Sequence, residues 1–125
     1  MGGRGTFAKG NNVDFTYKTI EKIKYAKILQ GIGKNHSLPV ESHGSKAYIK
    51  LKKDGTFHEM RIYNKNKELI KEIAYHVEPK LSRNGLPVLH IHIYKKAGDF
   101  TKREPRLLTQ KEIIRYKPFL RGIKL

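Results

Sequence analysis

The chain has 125 residues, 38% of them hydrophobic, which is enough for a single domain with one core. Lys and Arg number 27 against 11 Asp and Glu, and the net charge of +16 indicates a polyanionic partner, with nucleic acid ahead of membrane surfaces and acidic proteins. The absence of cysteine excludes a disulfide framework and a thiolate zinc site, and no run approaches the roughly 18 apolar residues of a membrane-spanning helix.

The N-terminal third is the least regular part of the sequence. Residues 1–15 are rich in Gly and Asn and predict a flexible lead-in, followed by one basic domain over residues 16–125. Residues 16–30 place isoleucines at helical spacing in their first half, which favours a helix there, although KIKYAKIL also alternates loosely like a strand. Residues 31–45 contain Gly, Pro, Asn and Ser, and a loop is predicted.

The middle of the chain predicts an antiparallel meander of four strands. Asp54 and Gly55 are a strong hairpin signal, because both residues tolerate positive φ, and Asn64–Asn66 supplies a second turn. A longer turn is predicted over residues 81–87. The strands are predicted at roughly 46–53, 56–63, 68–77 and 87–95.

The C-terminal part predicts one short helix. Thr109 and Glu112 have the spacing of a capping box, so a helix is expected from about 110 to 117, where Pro118 ends it. The predicted fold class is therefore α+β: a four-stranded antiparallel meander sheet with one apolar face, covered by the N-terminal segment and the short C-terminal helix.

Alternation along the four strands sorts the side chains onto two faces. The apolar face carries Ala47, Ile49, Leu51, Met60, Ile62, Ile73, Tyr75, Val77, Leu89, Ile91 and Ile93. The opposite face carries Tyr48, Lys50, Arg61, Glu72, His76, His90, His92 and Tyr94. This second set is richer in imidazoles and aromatic rings than an ordinary solvent-exposed face, and it indicates a functional site.

The second face has the groups that metal-free RNA cleavage requires. A base takes the 2′-OH proton and an acid protonates the leaving 5′-oxygen, and histidine suits both roles because its ordinary pKa is near 6.5. The candidate acid and base are His76, His90 and His92. Arg61 and Lys50 are the candidate phosphate ligands. The place of His76 depends on register, because a slip of one residue would turn it to the core side.

Further residues are candidates for contact with the nucleic acid. Tyr48 or Tyr94 is predicted to stack on a base or donate a hydrogen bond. His43 and Ser45, in the predicted loop, are candidate phosphate contacts. His58 has the parity of the apolar face and is interpreted as a structural histidine. For every one of these positions the alternative is an ordinary side chain on a solvent-exposed face or in a loop.

The spacing of His90 and His92 also permits a metal site, since two imidazoles on one strand face can chelate Zn, Cu or Fe. His76 or Glu72 is the candidate third ligand. No carboxylate follows at a recognised spacing, however, and cationic surroundings favour an anionic substrate over a divalent ion. We therefore predict no metal and no cofactor. The sequence contains no nucleophile elbow, P-loop or EF-hand motif.

Four stretches resemble the C-terminal domain of phage minor head, or head-morphogenesis, proteins of Gram-positive bacteria. They are GGRGTFAKGNNVDFTYKT, LPVESHGSKAYIKL, MRIYNKNKELIKEIAYH and PVLHIHIYK, and the resemblance spans about residues 2–117. That domain is similar to the barnase/EndoU/colicin-type ribonuclease superfamily, whose members also serve as toxin modules. The resemblance implies helices followed by a four-stranded antiparallel sheet, and a metal-free site on one sheet face with a histidine acid or base and a basic phosphate ligand.

The predicted function is RNA binding with metal-independent RNA cleavage. The expected partners are RNA or another nucleic acid, and phage head proteins or an acidic immunity partner, with no membrane. The expected location is the phage virion or the bacterial cytoplasm. Two alternatives stay open: a non-catalytic nucleic-acid-binding module, and a phage head assembly module in which the histidines are incidental.

Overall fold

One mixed sheet of seven strands, arranged in chain order, makes up most of the described protein. The computed structural model describes residues 17–31, 38–39, 42, 44–94 and 104–124. All neighbouring strands of the sheet pair antiparallel except the second and third, which pair in parallel. The strands are β1 Tyr17–Ile23, β2 Ala26–Gly31, β3 Ala47–Leu51, β4 Phe57–Tyr63, β5 Leu69–His76, β6 Val88–Ile93 and β7 Pro105–Leu107.

The predicted meander is confirmed, since β3 to β6 are consecutive antiparallel strands at the predicted places. In the first turn Gly55 has a φ of 88°, and Asp54 Oδ1 accepts a hydrogen bond from the N–H of Thr56 at 2.9 Å. In the second turn Asn64 Oδ1 accepts a bond from the N–H of Asn66 at 2.8 Å. Local turn chemistry therefore sets the spacing of these strands.

The helix predicted in the first half of residues 16–30 is wrong, because this stretch forms the β1–β2 hairpin. Lys24 takes up a positive φ of 51° in the turn between the two strands. β2 also pairs with β3, and Ile28 and Leu29 are buried in clusters on opposite faces of the sheet. Backbone pairing along both edges of β2 outweighs the helical spacing of the isoleucines, so this segment widens the sheet instead of covering it.

The fold is accordingly mostly β, which corrects the predicted α+β class with four strands. β7 is a further addition, and it pairs with β6 through three residues. The resemblance implied helices ahead of the sheet, but within the described part of the chain the segment ahead of β3 contains the β1–β2 hairpin. The predicted lead-in over residues 1–15 lies outside the described residues.

The C-terminal helix is confirmed as α1, Gln110–Tyr116, and a short 3₁₀ turn, Lys117–Phe119, follows it. The capping box is present: the N–H of Glu112 donates to Thr109 Oγ1 at 3.2 Å, and the N–H of Thr109 donates to Glu112 Oε1 at 2.8 Å. Tyr116 and Phe119 are buried in the main core. The helical segment therefore covers the apolar face of the sheet, as predicted.

The two faces of the sheet differ in how they are buried. The predicted apolar face is confirmed as the main core at its centre, with Ile49, Met60, Ile73 and Ile91, but Val77 and Ile93 at the strand ends are exposed. Part of the opposite face is also apolar, and we call this part the aromatic cluster. It consists of Tyr17, Leu29, Leu38, Tyr48, Tyr63, Leu69 and Tyr94. Only the remainder of that face is polar. Among the described residues, no helix has the length and apolar content to cross a bilayer.

Candidate functional site

Four histidine rings form a continuous line across the polar part of the sheet, and we call it the imidazole row. The ring centroids of His58 and His76 are 5.9 Å apart, and those of His76 and His90 are 4.8 Å apart. His92 follows at 5.2 Å from His90. Each contact is edge-on, with interplanar angles of 77°, 82° and 87°. The row therefore brings three strands, β4, β5 and β6, to one site.

Strand register explains why His76 belongs to the row. Ala74 of β5 pairs with His90, and His76 pairs with Val88. Because side chains two residues apart share a face, His76 lies on the same face as His90. The alternative register that would turn His76 to the core is therefore not the one that forms.

A β-bulge brings His58 into the row. In the β3–β4 pairing Lys50 is opposite Glu59 and Leu51 is opposite Phe57, so His58 is the extra residue. Phe57 is thereby turned into the main core, and His58 lies beside His76. The placement of His58 on the core side is wrong, because simple alternation does not hold across a bulge.

Backbone carbonyls fix the tautomers of two rings in the row. Nδ1–H of His76 donates to the carbonyl of Val77 at 2.9 Å, and Nδ1–H of His90 donates to the carbonyl of Val88 at 2.8 Å. In each neutral ring the lone pair is therefore on Nε2. His90 is fully buried, and its Nε2 has no hydrogen-bond partner within the described part of the chain.

Burial and neighbouring positive charge shift the titration of the row. Burial lowers the pKa of His58 from its ordinary 6.5, and Lys50, His76 and Lys52 lower it further. Burial also lowers the pKa of His90, against the effect of its hydrogen bond to Val88. Both rings are therefore held in the neutral form to lower pH than a free imidazole.

A cleft of 330 Å³ opens beside the row, and we call it the acidic cleft. It is lined by Glu59, Arg61, Glu72, His76, Glu78, Lys80, His92 and Pro105. Three carboxylates thus face two cations, and Lys80 also pairs with Glu104 at 2.9 Å. The sequence predicted strongly cationic surroundings for the paired histidines, but among the described residues that line this cleft carboxylates outnumber cations.

Arg61 is held by protein groups at the floor of the cleft. Its Nε donates to Glu72 Oε2 at 2.8 Å, and one of its terminal nitrogens donates to the carbonyl of Leu38 at 2.6 Å. Glu59 lies 3.7 Å from the same Nε. Burial raises the pKa of Glu59, and the charge of Glu72 raises it further. The prediction of Arg61 as a phosphate ligand is corrected: its fork is used to hold two carboxylates and a loop carbonyl.

Two lysines lie beside the His58 end of the row, and one of them, Lys50, is also the cross-strand partner of Glu59. Lys50 and Lys52 both act on His58 electrostatically. They also line a groove of 440 Å³ together with Lys53 and Gln30. Lys50 therefore lies where the sequence predicted a phosphate ligand to lie, beside a histidine, although that histidine is His58 and not one of the predicted three.

Both tyrosines predicted to contact a base are buried in the aromatic cluster. Tyr48 is 3% exposed and Tyr94 is 4% exposed, so neither ring has a face open for stacking. The physical reason is that Leu38 and other residues of the aromatic cluster cover this part of the face. Both predicted contacts are therefore corrected.

The loop candidates have different outcomes. The carbonyl of Ser45 accepts a hydrogen bond from the buried hydroxyl of Ser42, so Ser45 is part of an ordered turn. The hydroxyl of Ser42 also accepts a bond from the N–H of Gly44 at 3.1 Å. His43 lies outside the described residues, and its predicted phosphate contact stays a prediction.

Several members of the site, among them His58 and Glu78, were not among the predicted site residues. His58 requires the bulge, which sequence alternation cannot show. Glu78 follows β5 by two residues, and the turn that carries it brings its carboxylate near His90 and His92. The nearest signal in the sequence is the short distance from His76 to Glu78, which places a carboxylate just beyond the strand end.

Comparison with known proteins does not assign this chain to a family. No family model, no curated protein and no solved structure matches this chain.

Proposed function

We propose that this protein binds RNA and cleaves it by metal-independent acid and base chemistry on the polar part of the sheet. The single observation that supports this proposal most directly is the imidazole row, of which the His58 end is partly exposed and lies beside lysines. We assign the acid and base to His58 and His76, because His90 is fully buried and a substrate cannot reach it.

The arrangement of His58 and His76 fits two proton transfers at one phosphodiester. Their ring centroids are 5.9 Å apart, so both rings reach one nucleotide linkage. Burial and the nearby lysines lower the pKa of His58 and keep this ring neutral, and this makes His58 the general base. His76 is then the general acid: in the protonated ring Nε2–H donates to the leaving 5′-oxygen, while Nδ1–H stays on the Val77 carbonyl.

Lys50 and Lys52 supply the positive charge that this chemistry needs. Both act on the His58 ring, so a phosphate at His58 lies within the field of two ammonium groups. Charge on a cleaved phosphodiester grows toward the transition state, and preorganised cations stabilise it. The net charge of +16 adds a general attraction for RNA.

The test is cleavage of an end-labelled RNA by the purified full chain in excess EDTA. We expect cleavage by the wild type and a loss of about 10²- to 10⁴-fold in rate for His76→Ala. His76→Ala, prepared in the same way, also controls for contaminating ribonuclease. Lys111→Ala, on the exposed side of α1, is the matched surface control and is expected to keep the wild-type rate. Intact RNA after long incubation with the wild type would contradict the proposal.

A second candidate is a nucleic-acid-binding module without catalysis. The observation that favours it over catalysis is the acidic cleft, because its excess of carboxylates next to His76 and His92 repels a scissile phosphate, while the net charge of +16 still attracts RNA. In the setting that the resemblance implies, such a module belongs to a phage head or to the bacterial cytoplasm, with nucleic acid, head proteins or an acidic immunity protein as partners. If this candidate is correct, RNA affinity falls steeply as the salt concentration rises, and the His76→Ala variant keeps the wild-type affinity.

A filter-binding titration at several salt concentrations separates the two candidates. Binding with a steep salt slope, together with intact RNA, favours the module without catalysis. Absence of any salt-dependent binding would contradict both, and would favour a head assembly module.

A further inference from the structure

We propose that Glu78, His90 and His92 form a binding site for a divalent transition metal ion, with zinc as the ion that their donor set fits best. One carboxylate oxygen and one nitrogen from each ring lie within 4.8 Å of one another. Two imidazoles and one carboxylate are a donor set that zinc uses in proteins, with the fourth position left to water or another ligand. This proposal does not depend on the proposed RNA cleavage.

His90 is oriented as a metal ligand rather than as an ordinary core residue. Its Nδ1–H is fixed by the Val88 carbonyl at 2.8 Å, which leaves the lone pair on Nε2. The ring is fully buried, and this Nε2 has no hydrogen-bond partner within the described part of the chain. A buried polar atom without a partner is costly. Metal-bound histidines characteristically donate the other ring N–H to a carbonyl or carboxylate, and a metal ion on Nε2 would satisfy the orphaned atom.

The charge around these residues favours a cation. The acidic cleft, which holds Glu78 and His92, also contains the carboxylates of Glu59 and Glu72. Arg61, one of the two cations of the cleft, pairs with Glu72 at 2.8 Å, and Glu78 accepts a 3.3 Å hydrogen bond from the N–H of Lys80. The sequence has no carboxylate at a recognised metal-site spacing from His90 and His92, but Glu78, in the turn after β5, brings one close to both rings.

Closing the site requires a small movement. Ligand atoms around a tetrahedral zinc ion are about 3.3 Å apart, given bonds of roughly 2.0 to 2.1 Å. Atoms within 4.8 Å of one another reach this spacing by side-chain rotation. Glu78 is the ligand that moves, because it is partly exposed while both rings are buried. A bound ion would thus connect β6 to the turn after β5.

The experiment is titration of the EDTA-dialysed full chain with zinc chloride by calorimetry. We expect one strong equivalent of zinc, and at least about a tenfold loss of affinity in Glu78→Gln, since even residues that only support metal ligands cost 10- to 100-fold. Gln is isosteric with Glu, and its oxygen can still accept the 3.3 Å bond from the N–H of Lys80. Saturating zinc is also expected to raise the Tm of the wild type by several degrees and that of Glu78→Gln by less.

Glu59→Gln is the matched control, because it removes one negative charge from the same cleft but none of the three ligands. We expect it to bind zinc within about threefold of the wild type. Equal losses in both variants would mean that the cleft attracts cations without coordinating one, and this overturns the site. Unchanged affinity in Glu78→Gln places the zinc elsewhere on the chain and also overturns it. Cobalt provides a second readout, since ligation in the wild type gives visible absorption that Glu78→Gln should lose.

Discussion

The two ends of the imidazole row carry the same side chain in opposite electrostatic settings. At the His58 end, Lys50 and Lys52 act on the ring. At the other end, His90 and His92 lie beside the carboxylate of Glu78. A histidine pattern alone therefore does not define its ligand. The neighbouring charges decide whether the rings face an anion, as we propose for the first end, or a cation, as we propose for the second.

The largest expected effect is on the rate of RNA cleavage, and it differs between the two ends of the imidazole row. His58→Ala should lower the rate of RNA cleavage in EDTA by about 10²- to 10⁴-fold, because it removes the proposed general base. His92→Ala, at the other end of the row, should lower the rate by less than about tenfold, since His92 takes no part in proton transfer in this scheme. The measurement is single-turnover cleavage of a labelled RNA. Equal losses of rate in the two variants would contradict the assignment of the chemistry to the His58 end of the row, beside Lys50 and Lys52.

Arg61 lines the acidic cleft and pairs there with the buried carboxylate of Glu72. Arg61→Ala should lower the free energy of unfolding by about 3 kcal/mol or more, because it leaves the carboxylate of Glu72, only 7% exposed, without its guanidinium partner. Urea unfolding measures the change. Arg106→Ala is the control, as it breaks an equally short ion pair to Glu112 at the surface and should cost under about 1 kcal/mol. A fully stable Arg61→Ala that loses only RNA affinity would restore Arg61 as a phosphate ligand.

Replacing Lys50, at the His58 end of the row, tests phosphate binding there without disturbing the main core. Lys50→Ala should reduce the slope of log affinity against log salt concentration by roughly 1, because one phosphate contact is lost. Lys111→Ala on α1 should leave the slope unchanged, since α1 lies on the opposite face of the sheet. Filter binding at several salt concentrations measures both variants. The same reduction in both would indicate a diffuse charge effect and no defined phosphate position.

The sequence predicts the elements whose signals are local. The Asp54–Gly55 turn and the Thr109 capping box are correct, because their side chains bond within a few residues. Alternation along β3 to β6 also assigns the centre of the main core correctly, although Val77 and Ile93, which it places on the same face, are exposed. The burial of Tyr48 and Tyr94 could not be predicted in the same way, because the members of the aromatic cluster come from distant parts of the sequence.

The candidate site is predicted less well than the fold, for two physical reasons. His58 joins the row through a bulge, and no local residue pattern marks the position of that bulge. Glu78 reaches His90 and His92 through the β5–β6 register, and Arg61 is engaged by Glu72 across β4 and β5. These are contacts between strands, and a change in pairing would rearrange all of them.

The smallest expected effect is on how the free energy of unfolding depends on pH, and it arises at the His58 end of the row. Burial lowers the pKa of His58, with further lowering from Lys50, His76 and Lys52, so the unfolded chain takes up this proton at higher pH than the folded protein. The unfolded state then binds more protons below its pKa of about 6.5, and stability falls as pH falls through that range. His58→Gln should therefore lose less stability than the wild type between about pH 7.5 and pH 5.5, measured by urea unfolding in EDTA. Equal losses would show that neither burial nor the neighbouring positive charge lowers the pKa of this ring, and would contradict the electrostatic setting described for the His58 end.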